Sequence, residues 1–237
     1  MEWLGRLYKS IQLLDKAIVS CHKCPRLVEW REEVAITKRK AYENEKYWGK
    51  PVTGFGATAP KMLIVGLAPG AHGANRTGRI FTGDSSGDWL YGSLHRIGIA
   101  KIPTSTSRDD GQELRDTRIS MAVRCAPPEN KPTTEERDTC APFFENELQL
   151  ILPTVRSFVA LGNFGWQVLI KALKNLGHPV PAGKFGHGAK VSYTHDGIKY
   201  LILGSYHPSQ QNTFTGKLTK PMLDSVLKKG ATFAGIL

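Results

Sequence analysis

A chain of 237 residues with 41% hydrophobic composition is long enough to bury a full core, and its 24 glycines and 14 prolines point to a loop-rich fold, not a disordered one. Thirty-two Lys and Arg against 21 Asp and Glu leave a net charge of +11, which favours a polyanionic partner, with DNA or RNA first. The longest apolar stretches, LILPTV and YLILG, fall far short of the roughly 20 residues of a membrane span, and the charged N-terminus shows no secretory signal, so an intracellular, monomeric protein without a membrane partner is expected.

In chain order, Trp3, Leu4, Leu7, Tyr8, Ile11, Leu14 and Ile18 recur at helical spacing and predict a helix over 3–19 that ends near CHKCPRL, where Pro25 disfavours continuation. Residues 26–60 read as one charged, mostly exposed helix followed by a loop. Four β-rich runs follow: KMLIV (61–65), RISMAVR (118–124), SFVAL (157–161) and KYLIL (199–203). Helical patterns occupy 88–99, 134–152, 164–175 and 217–229. The third pair of flanks is explicit: Thr133 and Glu136 form a capping-box pair, with Pro142 disturbing the interior, and Gly177 suits the position after the 164–175 helix. Strands alternating with helices predict a parallel sheet covered on both faces, in a single domain over 1–237.

Ligands of such sheets bind outside the carboxyl ends of the strands. The segments that follow the four runs are GLAPGAHGANRTGRIFTGD, CAPPENKP, GNFGW and GSYHPSQQNTFTG. All are rich in Gly, Pro, Asn or His, residues suited to tight turns and to hydrogen-bonding a planar polar ligand. The first lacks the G-K-[ST] of a phosphate loop and the G-x-G-x-x-G of a dinucleotide fold. Phe81 fits core packing as well as stacking on a base, Asp84 fits helix capping as well as handling a water, and His207, held before Pro208, fits a surface turn as well as a donor to a developing negative charge. Cys21-x-x-Cys24, Cys125 and Cys140 are four thiols that suit zinc or an iron–sulfur cluster, and spacing does not separate the two.

The segments Gly66–Asp84, Cys125–Thr133 and His207–Thr219, with the four-cysteine layout, resemble the type B (family five) uracil-DNA glycosylases of thermophilic archaea and bacteria, over most of the chain from Cys21 to Thr219. The resemblance implies a three-layer α/β/α sandwich around a four-stranded parallel sheet, with a 4Fe–4S cluster on the four cysteines tying in the N-terminal helix. It implies hydrolysis of the N-glycosidic bond of uracil, and of hypoxanthine or other deaminated bases, in single- or double-stranded DNA. The base is flipped into a pocket of Gly66, Leu67, Ala68, Phe81 and Asn130. His207 and Asp84 are then catalytic, and Gln210, Asn212 and Thr213 meet the DNA. Leu67 stands where the wider superfamily commonly has an acidic or amide residue that handles the water. That leaves Asp84 as the candidate, ahead of His72 and Asn75. An iron–sulfur or zinc-stapled nucleic-acid-binding protein without catalysis is the competing reading.

Overall fold

The computed structural model describes residues 8–237. Helix α1 (Ile11–Val19) is capped by Ser10, whose side chain accepts from the Leu13 amide at 3.3 Å, and it buries Ile11, Leu14 and Ile18. The expected start at residue 3 lies outside the described residues. Helix α2 (Pro25–Thr37) opens on its proline, whose missing N–H has no helical partner to lose. Its buried face, Leu27, Arg31 and Val34, recurs at helical spacing, so the charged helix expected to be mostly exposed turns one arginine fully inward.

The sheet holds β1 (Phe55–Gly56), β2 (Met62–Gly66), β3 (Thr117–Met121), β4 (Ser157–Leu161), β5 (Lys190–His195) and β6 (Ile198–Ser205), in the order β1-β3-β2-β4-β6-β5. The central four, β3-β2-β4-β6, are parallel and coincide with the four expected runs. Two antiparallel edges, β1 against β3 and β5 against β6, extend the expected four-stranded sheet. The β5–β6 hairpin turns through Asp196-Gly197, a dipeptide suited to tight hairpins, with φ of 48° and 74°. Strands β2, β3 and β4 are buried throughout and β6 is buried from Tyr200 on, whereas β5 alternates exposed and buried positions, as an edge does.

Between the strands lie α3 (Ala74–Thr77), α4 (Ser85–Arg96), α5 (Thr134–Ile151) and α6 (Asn163–Asn175), with α7 (Gln210–Phe214) and α8 (Lys220–Phe233) at the end. Alternating side chains of β2 face opposite layers. Met62 and Ile64 meet Leu90 and Leu94 of α4 and Leu223 and Leu227 of α8, while Leu63 and Val65 meet Phe144 and Leu148 of α5 and Leu169 and Leu173 of α6. Each buried Leu, Ile or Phe contributes about 1.5–3 kcal/mol. The capping box at Thr133 and Glu136 forms in full, and α5 runs on through Pro142. Gly177, at φ 85°, closes α6 as expected.

Beneath α5 the sheet is charged. Arg118 and Ser120 of β3, with Arg124 just beyond it, converge on the fully buried Glu147. Burial pushes the Glu147 carboxyl up, but the Arg124 and Arg118 guanidiniums and the Ser120 hydroxyl outweigh it and hold the group at about 2. A carboxyl depressed from 4.5 stabilises the fold above 4.5 and loses that contribution as pH falls toward about 2. Glu147→Gln strands two buried cations. We expect it to lower unfolding free energy by about 3–5 kcal/mol in chemical denaturation and to flatten the acid limb of wild-type stability between about pH 4.5 and 2.

Candidate active site

The chain leaves β2 for β3 on one side and later places β4 on the other, so the carboxyl ends of β2 and β4 flank the point where strand order reverses, where such folds open a crevice. Gly66 ends β2 there. A Cβ at Gly66 would stand 2.9 Å from Phe81 Cε2 and 3.1 Å from Cζ, so only glycine lets the ring lie against the strand end. The Phe81 ring then faces His207, which follows β6, with centroids 5.7 Å apart and planes 30° from each other. Leu67 continues the β2 ladder by accepting from Val123 N at 3.0 Å, and Ala68 packs beside the cysteines.

Phe81 sits in the left-handed region at φ 51°, an unfavourable conformation for an aromatic residue, costing about 1–3 kcal/mol. Its neighbours clamp it. The Arg79 guanidinium places all five N–H groups: Nε on Thr82 Oγ1 (2.9 Å), Nη1 on Arg108 O (3.2 Å) and Asp110 Oδ1 (2.8 Å), and Nη2 on Ser105 Oγ (2.8 Å) and Asp110 Oδ2 (2.5 Å). Gly83 N donates to Ser105 O at 2.8 Å, and Thr82 shares a 2.7 Å hydroxyl contact with Ser105. The segment 105–110 therefore pins the backbone on both sides of Phe81.

Asp84 caps α4: its Oδ1 accepts from Gly87 N at 2.9 Å. Oδ2 faces the glycine loop, where a Cβ at Gly73 would stand 1.9 Å away. Burial raises its carboxyl above the usual range. The capping reading of Asp84 is met by Oδ1, while Oδ2 is turned to the loop. His72 and Asn75 are engaged in holding that loop: His72 Nδ1 meets Tyr47 OH at 3.1 Å, and Asn75 Nδ2 donates to Arg31 O at 3.1 Å.

The His207 ring keeps part of its surface open to solvent, but the surrounding protein lowers its imidazole to about 4 by desolvation, so it is neutral near pH 7. Asn212 Nδ2 donates to His207 O at 2.9 Å, which directs the Asn212 amide to the histidine backbone rather than outward. Thr213 Oγ1 likewise bonds within α7, to Ser209 O at 3.1 Å. Gln210 is exposed, and Phe214 is 79% exposed at the end of α7. Asn130 lies exposed on the loop after β3 at φ 58°, and its side chain makes no hydrogen bond among the described residues. The structure thus brings Gly66, Phe81, His207 and Asn212 together and sets Asn130 apart from them, on the segment after β3.

Cys21, Cys24, Cys125 and Cys140 all line one pocket between α1, α2, the end of β3 and α5. No disulfide joins them. Burial pushes the Cys125 thiol to about 11 and Cys140 to about 12. Arg31, with no exposed surface, donates through Nη1 to Cys125 Sγ at 3.0 Å and to Cys21 O at 3.2 Å, a buried cation aimed at a sulfur. Reading residues 26–60 as an exposed helix missed Arg31; its spacing of four from Leu27 and three from Val34 was the available signal. Among the described residues, no three His, Cys, Asp or Glu side chains are grouped to hold a single metal ion. None of the helices among the described residues is long and apolar enough to cross a membrane.

The fold and this crevice define a parallel-sheet α/β protein with an aromatic and imidazole socket at the strand ends. The family described as the uracil DNA glycosylase superfamily matches residues 53–229. Over 227 residues the chain is 51% identical to the type-5 uracil-DNA glycosylase of Mycobacterium bovis, covering 96% of this chain and 83% of that one. It is 47% identical over 223 residues to the type-5 enzyme of Thermus thermophilus, covering 93% and 97%, and 43% identical over 220 residues to that of Pyrobaculum aerophilum, covering 93% and 92%. The chain belongs to the uracil DNA glycosylase superfamily and, within it, to the type-5 uracil-DNA glycosylases.

A solvated histidine takes up its proton near 6.5, whereas His207 is held to about 4. The imidazole nitrogens of His207 should therefore show neutral-form ¹⁵N shifts down to about pH 5, with the change centred near 4. A midpoint close to 6.5 would mean that the surrounding protein does not desolvate the ring.

Proposed function

We propose that this protein removes uracil from DNA by hydrolysing the N-glycosidic bond and leaves an abasic site. The observation that carries the reading is the Phe81 ring set 5.7 Å from the His207 imidazole at the switch point of the sheet, in a chain of this family. The target base cannot be reached inside a duplex, so it is extruded, at a cost of a few kcal/mol that a single strand or a mismatch reduces. Phe81 stacks on the base. Asn130, with its uncommitted amide, reads the Watson–Crick edge, while Leu67 and Ala68 wall the pocket. The exposed Gln210 and Phe214 of α7 occupy the gap in the strand. Asn212 and Thr213 hold that helix in shape.

In the chemical step the bond between C1′ and the base nitrogen breaks, and its electron pair leaves on the base. Neutral His207 donates an N–H to the base oxygen where the charge grows, which stabilises the transition state more than the ground state. Water adds its oxygen to C1′ and passes a proton to Asp84, whose Oδ2 is turned to the glycine loop. A pocket built from stacking and a few hydrogen bonds also tolerates hypoxanthine and other deaminated bases, in single- or double-stranded DNA. The enzyme works as a monomer in the cytoplasm, at the nucleoid.

Cys21, Cys24, Cys125 and Cys140 hold a 4Fe–4S cluster in this reading. A single tetrahedral zinc draws its thiolates to roughly 3.8 Å from one another, whereas a four-iron cluster spreads them wider. Four cysteines lining one pocket supply the four thiolates such a centre needs. The Arg31 guanidinium favours a thiolate at Cys125. The cluster supplies a tie between α1, α2 and the sheet.

Release of uracil from a labelled oligonucleotide, read as strand scission after alkali, tests the activity. His207→Ala should lower kcat by about 10²–10³. Asp84→Asn keeps a good helix cap and should still lower kcat at saturating DNA by at least about 10²; a near-wild-type rate would remove Asp84 from the mechanism. Anaerobically purified protein should carry about four irons and four sulfides per chain. Cys140→Ala should abolish the visible absorption and lower the melting temperature. Stoichiometric zinc with no sulfide would overturn the cluster.

A further inference from the structure

Two exposed cations near the socket are seated on aromatic rings. Lys217, on the chain between α7 and α8, holds its Nζ 4.8 Å from the Tyr206 ring centroid. Tyr206 immediately precedes His207, and its own ring is backed by His187 (5.3 Å) and Phe185 (6.4 Å). On the other side, Arg108 lies over the Trp48 ring at 4.7 Å. Trp48 is fixed by a 3.0 Å bond from its Nε1 to Pro51 O and by close approach to Gly78, which lies three residues before Phe81. The Arg108 backbone carries one of the five Arg79 bonds. Both cations therefore rest on the framework that sets the Phe81–His207 pair.

Their places along the sheet differ. Trp48 N donates to Arg76 O of α3 at 2.9 Å, in the segment that follows β2, whereas Tyr206 leaves β6. In the order β3-β2-β4-β6 the ends of β2 and β6 are two strand spacings apart, roughly 10 Å at about 4.8 Å each. That exceeds the roughly 3.4 Å rise per nucleotide of a stacked strand, so the two cations meet different phosphates. A cation over a ring also has fewer rotamers to lose on meeting a phosphate than a free surface lysine.

We propose that Lys217 and Arg108 grip the DNA backbone on either side of the extruded nucleotide, and that Tyr206 and Trp48 are positioning residues that aim them. The inference rests on the glycosylase reading above. Core packing does not account for these placements: both cations are exposed, and Arg108 feels the charge of Asp15 without forming a salt bridge to it.

The test uses the full-length protein and a fluorescein-labelled uracil duplex, with affinity measured across a salt series and kcat and KM measured beside it. Lys217→Ala and Arg108→Ala should each make the slope of log affinity against log salt shallower by about one, and the double variant by about two. KM should rise several-fold, with kcat within about threefold of wild type. Tyr206→Leu, which keeps the charge, should reproduce most of the Lys217→Ala rise in KM, and Tyr206→Phe, which keeps the ring, should restore it. Lys199→Ala, at the opposite end of β6, is the control for charge alone. If the two cation variants match Lys199→Ala in slope and KM while wild type releases uracil, this inference is wrong and the glycosylase reading stands. If wild type releases no uracil, the glycosylase reading falls with it.

Discussion

The architecture of the socket depends on one backbone conformation. Phe81 is held at φ 51° with its ring against the strand end at Gly66. An unfavourable conformation persists only where its surroundings over-determine it. Here Arg79 supplies that excess by engaging every donor it has, with Asp110, Ser105, Thr82 and the Arg108 carbonyl as partners. A lysine could not replace it, because it lacks the planar fork that makes two bonds to one carboxylate. The loop that reads as glycine-rich flexibility is therefore a rigid part, with glycine used for close approach.

The electrostatics of the crevice follow from the same packing. Desolvation raises the Asp84 carboxyl and lowers the His207 imidazole, which makes the Asp84 carboxylate a stronger base and leaves His207 uncharged. A neutral imidazole can still donate a hydrogen bond to a departing anion without first having to be charged in a buried place. The helix α7 that presents Phe214 to solvent also returns Asn212 to the His207 carbonyl, so any movement of this helix on DNA would be felt at the imidazole.

Away from the crevice, buried charge secures the first two helices. Arg31 joins α2 to the cysteine pocket through Cys125 and Cys21, and its carbonyl receives Asn75 from the glycine loop. Glu147 binds α5 to β3 through Arg118, Arg124 and Ser120. Breaking one partner of such groups costs far more than the pair contributes, because the remaining charge is left without water. The cysteine pocket and the strand-end crevice are thus mechanically adjacent.

Apolar period and turn chemistry were enough to read the four central strands, the Thr133 capping box, the Gly177 helix stop and the strand-end loops, because each is decided by neighbours within a few residues. The motif around Gly66, with the four cysteines and the His207 segment, was enough to point to the family. The β5 edge went unread although Asp196-Gly197 signalled its hairpin, since Lys190, Ser192 and Thr194 alternate with Val191 and Tyr193 and leave only half an apolar face. The inward turn of Arg31, the strained Phe81, the diversion of Asn212 to a backbone carbonyl and the seating of Lys217 and Arg108 on aromatic rings were decided by tertiary structure alone. Arg31, Phe81 and Arg108 depend on partners tens of residues away, and Asn212 and Lys217 on how the chain after β6 turns back on itself, and geometry of that kind exists only once the sheet has brought its strand ends together.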